Sequence, residues 1–239
     1  MALPFFYEPN LPIHPDIFTL SEETSKHCVQ VLRMNEGAMI ALTNGKGISY
    51  DATIVSPNKK QTIVRLANKQ FSEQAKPTNS IAISFIKNAS RMEWFLEKAT
   101  EIGIAHIYPL IVERTEKINF KLERWENIIV SAMLQSKQVW KPQLHISTLF
   151  NDLMAMNFDG LKMIAHCEND NKSTISSTNT NNNQLILIGP EGDFTIKEIE
   201  QAVSNNFIPV SLGNTRLRTE TAGIVATVLL QNIYKQNNL

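Results

Sequence analysis

Polar and charged side chains are concentrated in residues 211–222, SLGNTRLRTETA, between a strand-like apolar run and a helical pattern. The segment contains Arg216, Arg218 and Glu220 beside several threonine hydroxyls. A guanidinium group can stabilise a developing anion and a carboxylate can accept a proton, so these residue types suit acid–base chemistry. A capped helix with a solvated charge pair would contain the same residues. Because ligand sites of α/β domains form at such junctions, we predict a site here.

A second candidate turn is GPEGDFT, residues 189–195, which follows the apolar run LILI. Gly189 and Gly192 flank a rigid proline and Glu191, so the backbone can approach a ligand closely and present groups able to read an adenine edge. The turn matches neither GxGxxG nor GxxxxGK[ST]. An ordinary turn would use the same residue types, and spacing alone leaves both interpretations open.

The elements that must position these turns alternate between strands and helices. Strand-like apolar runs lie at residues 80–86, 106–111, 161–166 and 185–188, with helical patterns between them. This alternation predicts a parallel sheet covered on both faces. Since ligands bind at the carboxyl ends of such strands, we expect residues 165–168, 189–193 and 212–218 to form one site.

Two helix starts carry the sequence pattern of a capping box. Ser90 with Glu93 predicts one at the first helix after residue 80, and Thr195 with Glu198 predicts another after the second candidate turn. Gly103 is placed to end the first of these helices. A second helix is predicted at residues 122–138.

The first third of the chain has a different, β-rich pattern. A short helix is predicted at residues 21–32, and Asn44-Gly45 lies between two alternating runs, which indicates a hairpin. Closely spaced strands suggest a small barrel or curled sheet. Residues 69–79 are polar and contain Pro77, so we predict domains at 1–72 and 73–239.

Residues 172–183 are polar and of low complexity, and we predict a mobile loop there.

Composition excludes several classes of protein. Lys and Arg number 23, as do Asp and Glu, which argues against coating of nucleic acid by bulk charge but leaves a local basic face possible. The two cysteines, Cys28 and Cys167, lack metal-ligand spacing, so we expect reduced thiols and no metal. No apolar run is long enough for a membrane span and the N-terminus lacks a signal pattern, so a cytoplasmic location is predicted.

The two candidate turns, together with RMEWFLEKATEIGI at residues 91–104, closely resemble the RsmE family, the ribosomal RNA uridine N3-methyltransferases of the SPOUT superfamily. The resemblance covers the whole chain, and its C-terminal motifs are highly specific. It implies an α/β fold with a SPOUT-type C-terminal domain, whose parallel sheet carries a trefoil knot, and a small N-terminal PUA-like β-barrel domain. It also implies a homodimer.

The same resemblance implies that S-adenosylmethionine is the cofactor and is held by the turns after three strands. The cofactor-binding residues carried over from the family motifs are His166, Cys167, Glu168, Ile188, Gly189, Pro190, Glu191, Gly192, Leu212, Gly213, Leu217 and Thr221.

The implied reaction is methylation of a uridine N3 in 16S ribosomal RNA of the small subunit. N3 carries a proton at neutral pH, so a base or a cation that stabilises the uracil anion is required. We hypothesise that Arg218 stabilises that charge, while Glu220 either holds Arg218 or accepts the proton. Glu191 is the alternative base. The candidate RNA-binding cations are Arg33, Lys87 and Arg91.

Three departures from the family pattern stand out. Leu3-Pro4 precede Phe5-Phe6 where the family usually carries an arginine, the QSGR-like stretch reads QSKQ with Lys137 third, and Asp193 stands where GPEGGF has its last glycine. The first two leave open which basic residues grip RNA, and the third adds a carboxylate beside the cofactor turn. None removes a proposed catalytic group.

Two alternative functions follow from other classes of protein. A non-catalytic RNA-binding or ribosome-assembly protein could keep the SPOUT fold without the reaction. A doubly wound oxidoreductase is disfavoured because the dinucleotide fingerprint GxGxxG is missing. The histidines His14, His27, His106 and His145 are interpreted as structural or surface residues, and only His166 lies at a proposed ligand turn.

Overall fold

The computed structural model describes residues 3–14, 16–116, 121–168, 172–175 and 182–236. Contacts between Cα atoms divide the chain into two compact units. Unit 1 comprises Met1–Gln74 and Met133–Lys141, and unit 2 comprises Ala75–Ala132 and Pro142–Leu239. The division into domains at residues 72 and 73 stays a prediction.

Unit 1 is built on one five-stranded sheet with the order β1-β3-β4-β5-β2. Its strands are β1 (Phe5–Tyr7), β2 (Ile17–Thr19), β3 (Met39–Thr43), β4 (Ile48–Ser56) and β5 (Ile63–Phe71). Strands β1 and β3 are parallel, and the other neighbours are antiparallel. The predicted hairpin is confirmed: the Asn44 side-chain oxygen accepts the N–H groups of Lys46 and Ile48 at 2.8 and 3.1 Å, which fixes the turn between β3 and β4.

The predicted short helix of unit 1 is also present, but it ends in a π-helical turn. Helix α1 (Glu22–Lys26) is capped by the Ser21 hydroxyl and runs into a π-helical turn at His27–Val31. Within that turn Cys28 is fully buried, and burial raises the pKa of its thiol to about 11. Strand β5 continues to Phe71, so the polar linker is shorter than the sequence indicated.

Unit 2 contains an eight-stranded sheet in which every pairing is parallel. Its order is β11-β13-β10-β12-β6-β7-β8, with β9 also paired to β7. The strands are β6 (Asn79–Ile83), β7 (His106–Ile111), β8 (Gln143–Leu144), β9 (Thr148–Leu149), β10 (Leu161–Ala165), β11 (Ser173–Thr174), β12 (Gln184–Ile188) and β13 (Ile208–Ser211). The remaining helices are α2 (Ala89–Ile102), α3 (Leu122–Gln135), α4 (Phe150–Ala155), α5 (Ile196–Ser204) and α6 (Thr219–Gln236).

Alternating side chains of the central strands fill a separate core on each face of this sheet. Ile186 of β12 belongs to the core that includes residues of α2, α3 and α6, whereas its neighbours Leu185 and Leu187 belong to the core that includes residues of α4 and α5. Successive side chains of a strand point to opposite faces, so a strand buried on both sides is apolar throughout. The predicted parallel sheet covered on both faces is confirmed.

One predicted helix start is wrong. Helix α2 is capped by Asn88, whose side chain accepts the Arg91 N–H, and not by a box of Ser90 and Glu93. Glu93 instead forms a salt bridge to Arg124 at 2.6 Å. An asparagine caps a helix as well as a serine does, so the helix begins at the earlier of two suitable residues.

Two other helix signals are confirmed. Gly103 ends α2 with φ 102°, a conformation that other residues rarely adopt. Thr195 and Glu198 form the reciprocal capping box that opens α5.

The polar segment at residues 172–183 is more ordered at its start than its composition suggests. Strand β11 pairs with β13, and Ile175 is buried in the sheet core. Residues 176–181 of this segment lie outside the described residues. The trefoil knot stays a prediction.

Membrane-spanning character is absent from the helices that the structure describes, because none of them is both long and apolar enough to cross a bilayer.

Helices α2 and α6 pack so closely that Gly223 has no room for a side chain. A Cβ at this position would lie 2.7 Å from Cε2 of Phe95 and 2.8 Å from Cδ1 of Ile83. Overpacking costs about 1 to 3 kcal/mol, and the better helix propensity of alanine returns about 1 kcal/mol. Because Phe95 and Ile83 are fully buried and cannot move aside, we expect Gly223→Ala to lower the urea midpoint.

The double-mutant cycle with Phe95→Leu provides the control for this substitution. The smaller side chain opens space, so Gly223→Ala should cost less in the Phe95→Leu background. An unchanged cost would show that the close contact with Phe95 is not the reason for the glycine.

His106 and His145 form a pair in unit 2, with Nδ1 of His106 3.3 Å from Nε2 of His145. The His145 ring also stacks on Tyr108 at 3.9 Å between centroids. Burial lowers the pKa of both histidines, and the neighbouring His106 charge helps to lower the pKa of His145 from 6.5 to about 4.

The pair predicts a pH-dependent stability. The unfolded chain binds protons at these histidines more readily than the folded chain does, so stability is retained above about pH 6.5 and falls as pH decreases towards 4. In His145→Phe, which keeps a ring against Tyr108, we expect a flatter dependence of the urea midpoint between these pH values. An equally steep dependence would contradict this origin.

Candidate active site

The three predicted ligand turns meet at one edge of the parallel sheet. In the register of the sheet Ala165 of β10 lies opposite Ile188 of β12 and Val210 of β13. The chain therefore leaves the sheet at the same level three times. The turns that follow surround a cavity of about 520 Å³, within the size range of small-molecule sites.

Apolar and polar groups both line this cavity. Its lining residues are Ala165, His166, Cys167, Lys172, Ile188, Gly189, Asp193, Ser211, Leu212, Gly213, Asn214, Thr215, Arg216, Leu217, Thr219 and Ala222. The apolar side chains suit a flat aromatic group, while Lys172, Arg216 and Asp193 suit a charged one. The cavity therefore fits a ligand that combines an aromatic base with an ionised end.

Asp193 joins two of the turns. Its Oδ2 accepts the backbone N–H of Cys167 at 2.7 Å, and its Oδ1 accepts the N–H of Phe194 at 2.8 Å. The residue has φ 61°, which aspartate tolerates better than most residues. The carboxylate that departs from the family pattern thus connects the turn after β12 to the turn after β10.

Lys172 and Arg216 hold backbone carbonyl groups at the cavity. The Lys172 ammonium donates to the His166 carbonyl at 2.7 Å, and Arg216 donates to the Glu191 carbonyl at 3.4 Å. Both side chains have further N–H donors. They can position the turns and still bind an anionic group.

A second cavity of about 350 Å³ lies beside the turn that contains Pro190, Glu191 and Gly192. Arg114 lines this cavity and donates to the Gly192 carbonyl at 2.6 Å. Lys87 also lines it and forms a salt bridge to Glu116 at 3.0 Å. The turn after β12 therefore separates two cavities, and an arginine contacts it from each.

Arg91 lies between two acidic side chains. Its guanidinium is 3.3 Å from Glu191 Oε1 and 3.6 Å from Glu220 Oε1. Glu220 is 6% exposed, and its Oε2 is buried without a hydrogen-bond partner among the described residues. In the described part of the chain this carboxylate pairs with Arg91 and forms no salt bridge to Arg218. Arg91 thus provides the countercharge for Glu220.

Arg218 and Glu220 flank Thr219, which lines the first cavity. The Thr219 hydroxyl donates to the Gly189 carbonyl at 3.2 Å, so the start of α6 is attached to the turn after β12. Glu220 lies in the first turn of α6, where the helix dipole favours a negative charge. The Arg218 side chain is exposed.

The predicted cofactor residues fall into three groups. His166, Cys167, Ile188, Gly189, Leu212, Gly213 and Leu217 line the first cavity. Pro190, Glu191 and Gly192 line the second cavity. Glu168 and Thr221 line neither of these two. Their cofactor roles stay predictions.

Three charged residues that line the first cavity, Lys172, Asp193 and Arg216, received no individual role from the sequence, although Asp193 and Arg216 lie within the predicted site. Asp193 and Arg216 lie inside the two motifs, so their place in the sequence could have marked them as cavity residues. Lys172 belongs to a polar low-complexity segment and has no such signal. Arg33, proposed for RNA, is exposed in unit 1 with φ 53°.

The glycines of the turn after β12 are explained by packing within the protein. A Cβ at Gly189 would lie 3.1 Å from the Phe194 ring, and one at Gly192 would lie 3.3 Å from Cδ of Arg114. The close packing of these neighbours therefore favours glycine at both positions, independently of any bound ligand.

Nucleophilic chemistry by Cys167 is disfavoured. Partial burial of the sulfur and the nearby Asp193 carboxylate raise the pKa of this thiol, so it is protonated at neutral pH. Among the described residues, no group of three or more His, Cys, Asp or Glu side chains could hold a metal ion.

Family models match both parts of the chain. A model for an RNA methyltransferase domain matches residues 72–231, and a model for an RNA methyltransferase PUA domain matches residues 20–67. The first match covers the cavity-forming turns, and the second covers most of the curled sheet of unit 1.

Individual proteins agree with these models. The ribosomal RNA small subunit methyltransferase E of Rickettsia conorii is 30% identical over 87% of this chain and 86% of its own length. The crystal structure of the probable rRNA-methyltransferase from Porphyromonas gingivalis has a TM-score of 0.91 at 34% identity, covering 98% of this chain and 100% of that one.

A further crystal structure, that of the ribosomal RNA small subunit methyltransferase E from Neisseria gonorrhoeae bound to S-adenosyl methionine, has a TM-score of 0.85 at 26% identity. It covers 97% of this chain and 98% of that one. The predicted resemblance and its fold class, apart from the knot, are confirmed. The chain therefore belongs to the RNA methyltransferase family, as its resemblance to the RsmE proteins predicted.

Proposed function

We propose that this protein transfers a methyl group from S-adenosylmethionine to N3 of a uridine in 16S ribosomal RNA of the small subunit. The observation that carries the proposal is the first cavity, whose three turns meet at the carboxyl ends of β10, β12 and β13. The names of the related proteins, which include a methyltransferase bound to S-adenosyl methionine, support this choice of cofactor and of RNA.

The residues of the first cavity fit the parts of S-adenosylmethionine. Leu212, Leu217 and Ile188 offer apolar surface for the adenine ring, and Lys172 and Arg216 offer donors for the carboxylate of the methionine end. When bound, the cofactor supplies an electrophilic methyl group on a sulfonium. Because that group is already activated, the protein contributes mainly by positioning and by management of one proton.

Arg218 and Glu220 are proposed to act on the uracil ring. N3 is a nucleophile only as its proton leaves, and the resulting negative charge spreads to the ring oxygens. An exposed guanidinium at Arg218 can reach an incoming base and stabilise that charge. Glu220 is proposed to accept the proton through its unpartnered Oε2, with Glu191 as the alternative base.

The contacts of Arg91 change the role that we propose for it. It was predicted to contact RNA phosphate, yet its guanidinium is within 3.6 Å of both proposed bases. We propose that it positions Glu220. Lys87 and Arg33 remain proposed RNA contacts.

Three further features are proposed from the family resemblance. The protein acts as a homodimer, its substrate is ribosomal RNA within the small subunit, and the reaction takes place in the cytoplasm. Analytical ultracentrifugation of the purified chain tests the first of these directly.

Replacement of Arg218 by alanine should separate catalysis from cofactor binding. Arg218 is exposed and does not line the first cavity, so Arg218→Ala should leave the affinity for S-adenosylmethionine nearly unchanged while abolishing methyl transfer. Calorimetric titration measures the affinity, and incorporation of labelled methyl into ribosomal RNA measures the turnover. Unchanged turnover would eliminate this assignment.

Arg216→Ala is the matched control, because Arg216 lines the cavity two residues away. Loss of its charged hydrogen bonds should weaken cofactor binding about tenfold. If both arginine variants bind the cofactor equally well, the proposed division of roles is wrong.

The pairing of Arg91 with Glu220 predicts a non-additive effect on stability. Arg91→Ala leaves the buried carboxylate without its countercharge and should destabilise the fold, by less than the cost of about 3 kcal/mol for a fully buried pair because Arg91 is partly exposed. Arg91→Ala combined with Glu220→Gln removes the charge as well, so the double variant should be more stable than Arg91→Ala alone. Urea denaturation measures the free energy of unfolding of both single variants and of the double variant. If the effects of the two substitutions simply add, Arg91 does not stabilise Glu220, and its predicted role as an RNA contact is favoured instead.

The proposed function as a whole is tested by mass-spectrometric mapping of 16S ribosomal RNA from a strain lacking the protein. We expect the loss of one N3-methyluridine, restored by the wild-type chain and not by Arg218→Ala. Retention of every methylated uridine, together with no saturable heat on titration with S-adenosylmethionine, would favour a non-catalytic RNA-binding protein.

A further inference from the structure

A third cavity, of about 440 Å³, lies wholly within unit 1 and has no part in the site described above. Its lining residues are Leu3, Phe5, Ala41, Ser49, Tyr50, Asp51, Asn68, Gln70, Lys137 and Val139. Strands β1, β3, β4 and β5 supply most of its wall, and the chain after α3 supplies the rest. The cavity combines two aromatic rings with one cation, one carboxylate and two amides.

Two of its lining residues adopt the left-handed backbone conformation. Lys137 has φ 59° and Asn68 has φ 49°. Asparagine tolerates this region, and Lys137 follows the end of α3, where its N–H donates to the Leu134 carbonyl at 3.2 Å and the Gln138 N–H donates to the Met133 carbonyl at 3.0 Å. A left-handed residue is common at a helix C-terminus of this kind, so the end of α3 explains the conformation of Lys137.

The Lys137 side chain lines the cavity beside Phe5. Its Nζ lies 5.3 Å from the centre of the Phe5 ring and donates to the Leu3 carbonyl at 3.3 Å. Phe5 is half-buried and Lys137 is exposed. An ammonium has three N–H donors, so the contact to Leu3 leaves capacity for an anion such as a phosphate group.

Asp51 and Asn68 form a polar pair on the same cavity. The Asn68 amide nitrogen donates to Oδ2 of Asp51 at 2.9 Å. This bond uses one amide N–H and leaves Oδ1 of Asp51 and the Asn68 carbonyl oxygen as acceptors. The Asp51 acceptor and the second Asn68 N–H match the amino group and neighbouring ring nitrogen of adenine or cytosine, and the two acceptors match the N1–H and amino group of guanine. A uracil edge would place carbonyl oxygens against the carboxylate.

We propose that this cavity binds one unpaired RNA nucleotide, with its phosphate at Lys137 and an amino-bearing base, adenine, cytosine or guanine, at Asp51 and Asn68. Unpaired bases are the part of RNA that proteins read through hydrogen-bonding edges. The proposal rests on the proposed function in that it requires RNA as the substrate. It adds a recognition site in unit 1 that is independent of the methylated uridine.

The experiment measures binding of the full chain to fluorescein-labelled oligonucleotides of adenylate, cytidylate or uridylate by fluorescence anisotropy, without S-adenosylmethionine. We expect the wild-type chain to bind adenylate and cytidylate at least fivefold more tightly than uridylate. Asp51→Asn replaces one acceptor by a donor and should remove that preference. Ribosomal RNA methylation with saturating cofactor is measured in parallel.

Lys137→Gly is the most informative variant because its expected loss of RNA affinity is not accompanied by a loss of stability. Glycine adopts the left-handed conformation without strain, so the thermal midpoint should rise or stay unchanged, while RNA affinity falls about tenfold. Lys60→Gly removes an equal charge from an exposed loop of unit 1 and should change affinity less than twofold. Lys137→Arg keeps the cation and should retain most of the affinity.

Three outcomes would overturn the proposal. Equal losses of RNA affinity in Lys137→Gly and Lys60→Gly would indicate general attraction between lysine and RNA charges. An unchanged base preference in Asp51→Asn would exclude recognition of a base edge at this cavity. In both cases normal methylation by the wild-type chain would leave the proposed function intact. A wild-type chain that neither binds RNA nor methylates it would overturn both proposals.

Discussion

The register of three parallel strands is the constraint on which the site depends. Ala165 of β10 lies opposite Ile188 of β12 and Val210 of β13, so three turns begin at the same level of the sheet. Parallel pairing permits this because all the strands run in one direction and all their carboxyl ends share an edge. A shift of one residue in β12 would exchange its two buried faces and displace the turn that contacts both cavities.

Two carboxylates, of Asp193 and Glu198, hold this edge together. Asp193 accepts the Cys167 N–H, and Glu198 accepts N–H groups from both Thr195 and Glu113. The capping box of α5 thus also fixes the turn after β7, which carries Arg114 to the Gly192 carbonyl. Charged acceptors form stronger hydrogen bonds to backbone N–H groups than neutral ones, so a few side chains can order turns that lack a regular hydrogen-bond pattern.

The two sides of the turn after β12 correspond to the proposed separation of cofactor binding from reaction. The first cavity has the apolar walls and cations that a charged nucleoside requires, while Arg91 places Glu191 and Glu220 around one guanidinium beyond it. Glu220 is buried where its charge is costly unless compensated. Its pairing with Arg91 and its place at the start of α6 offset that cost.

The sequence by itself determined the parallel sheet, the hairpin, the ends of α2 and α5 and the turns that form the site, because strand burial, turn residues and capping are local patterns. It misplaced the start of α2, where Asn88 and Ser90 were both suitable caps. Only the tertiary structure decided that Arg91 pairs with Glu220, that Asp193 connects two turns, and that Lys137 reaches the cavity beside Phe5. Those contacts join residues far apart in the chain, and no local pattern encodes which long side chains meet across a fold.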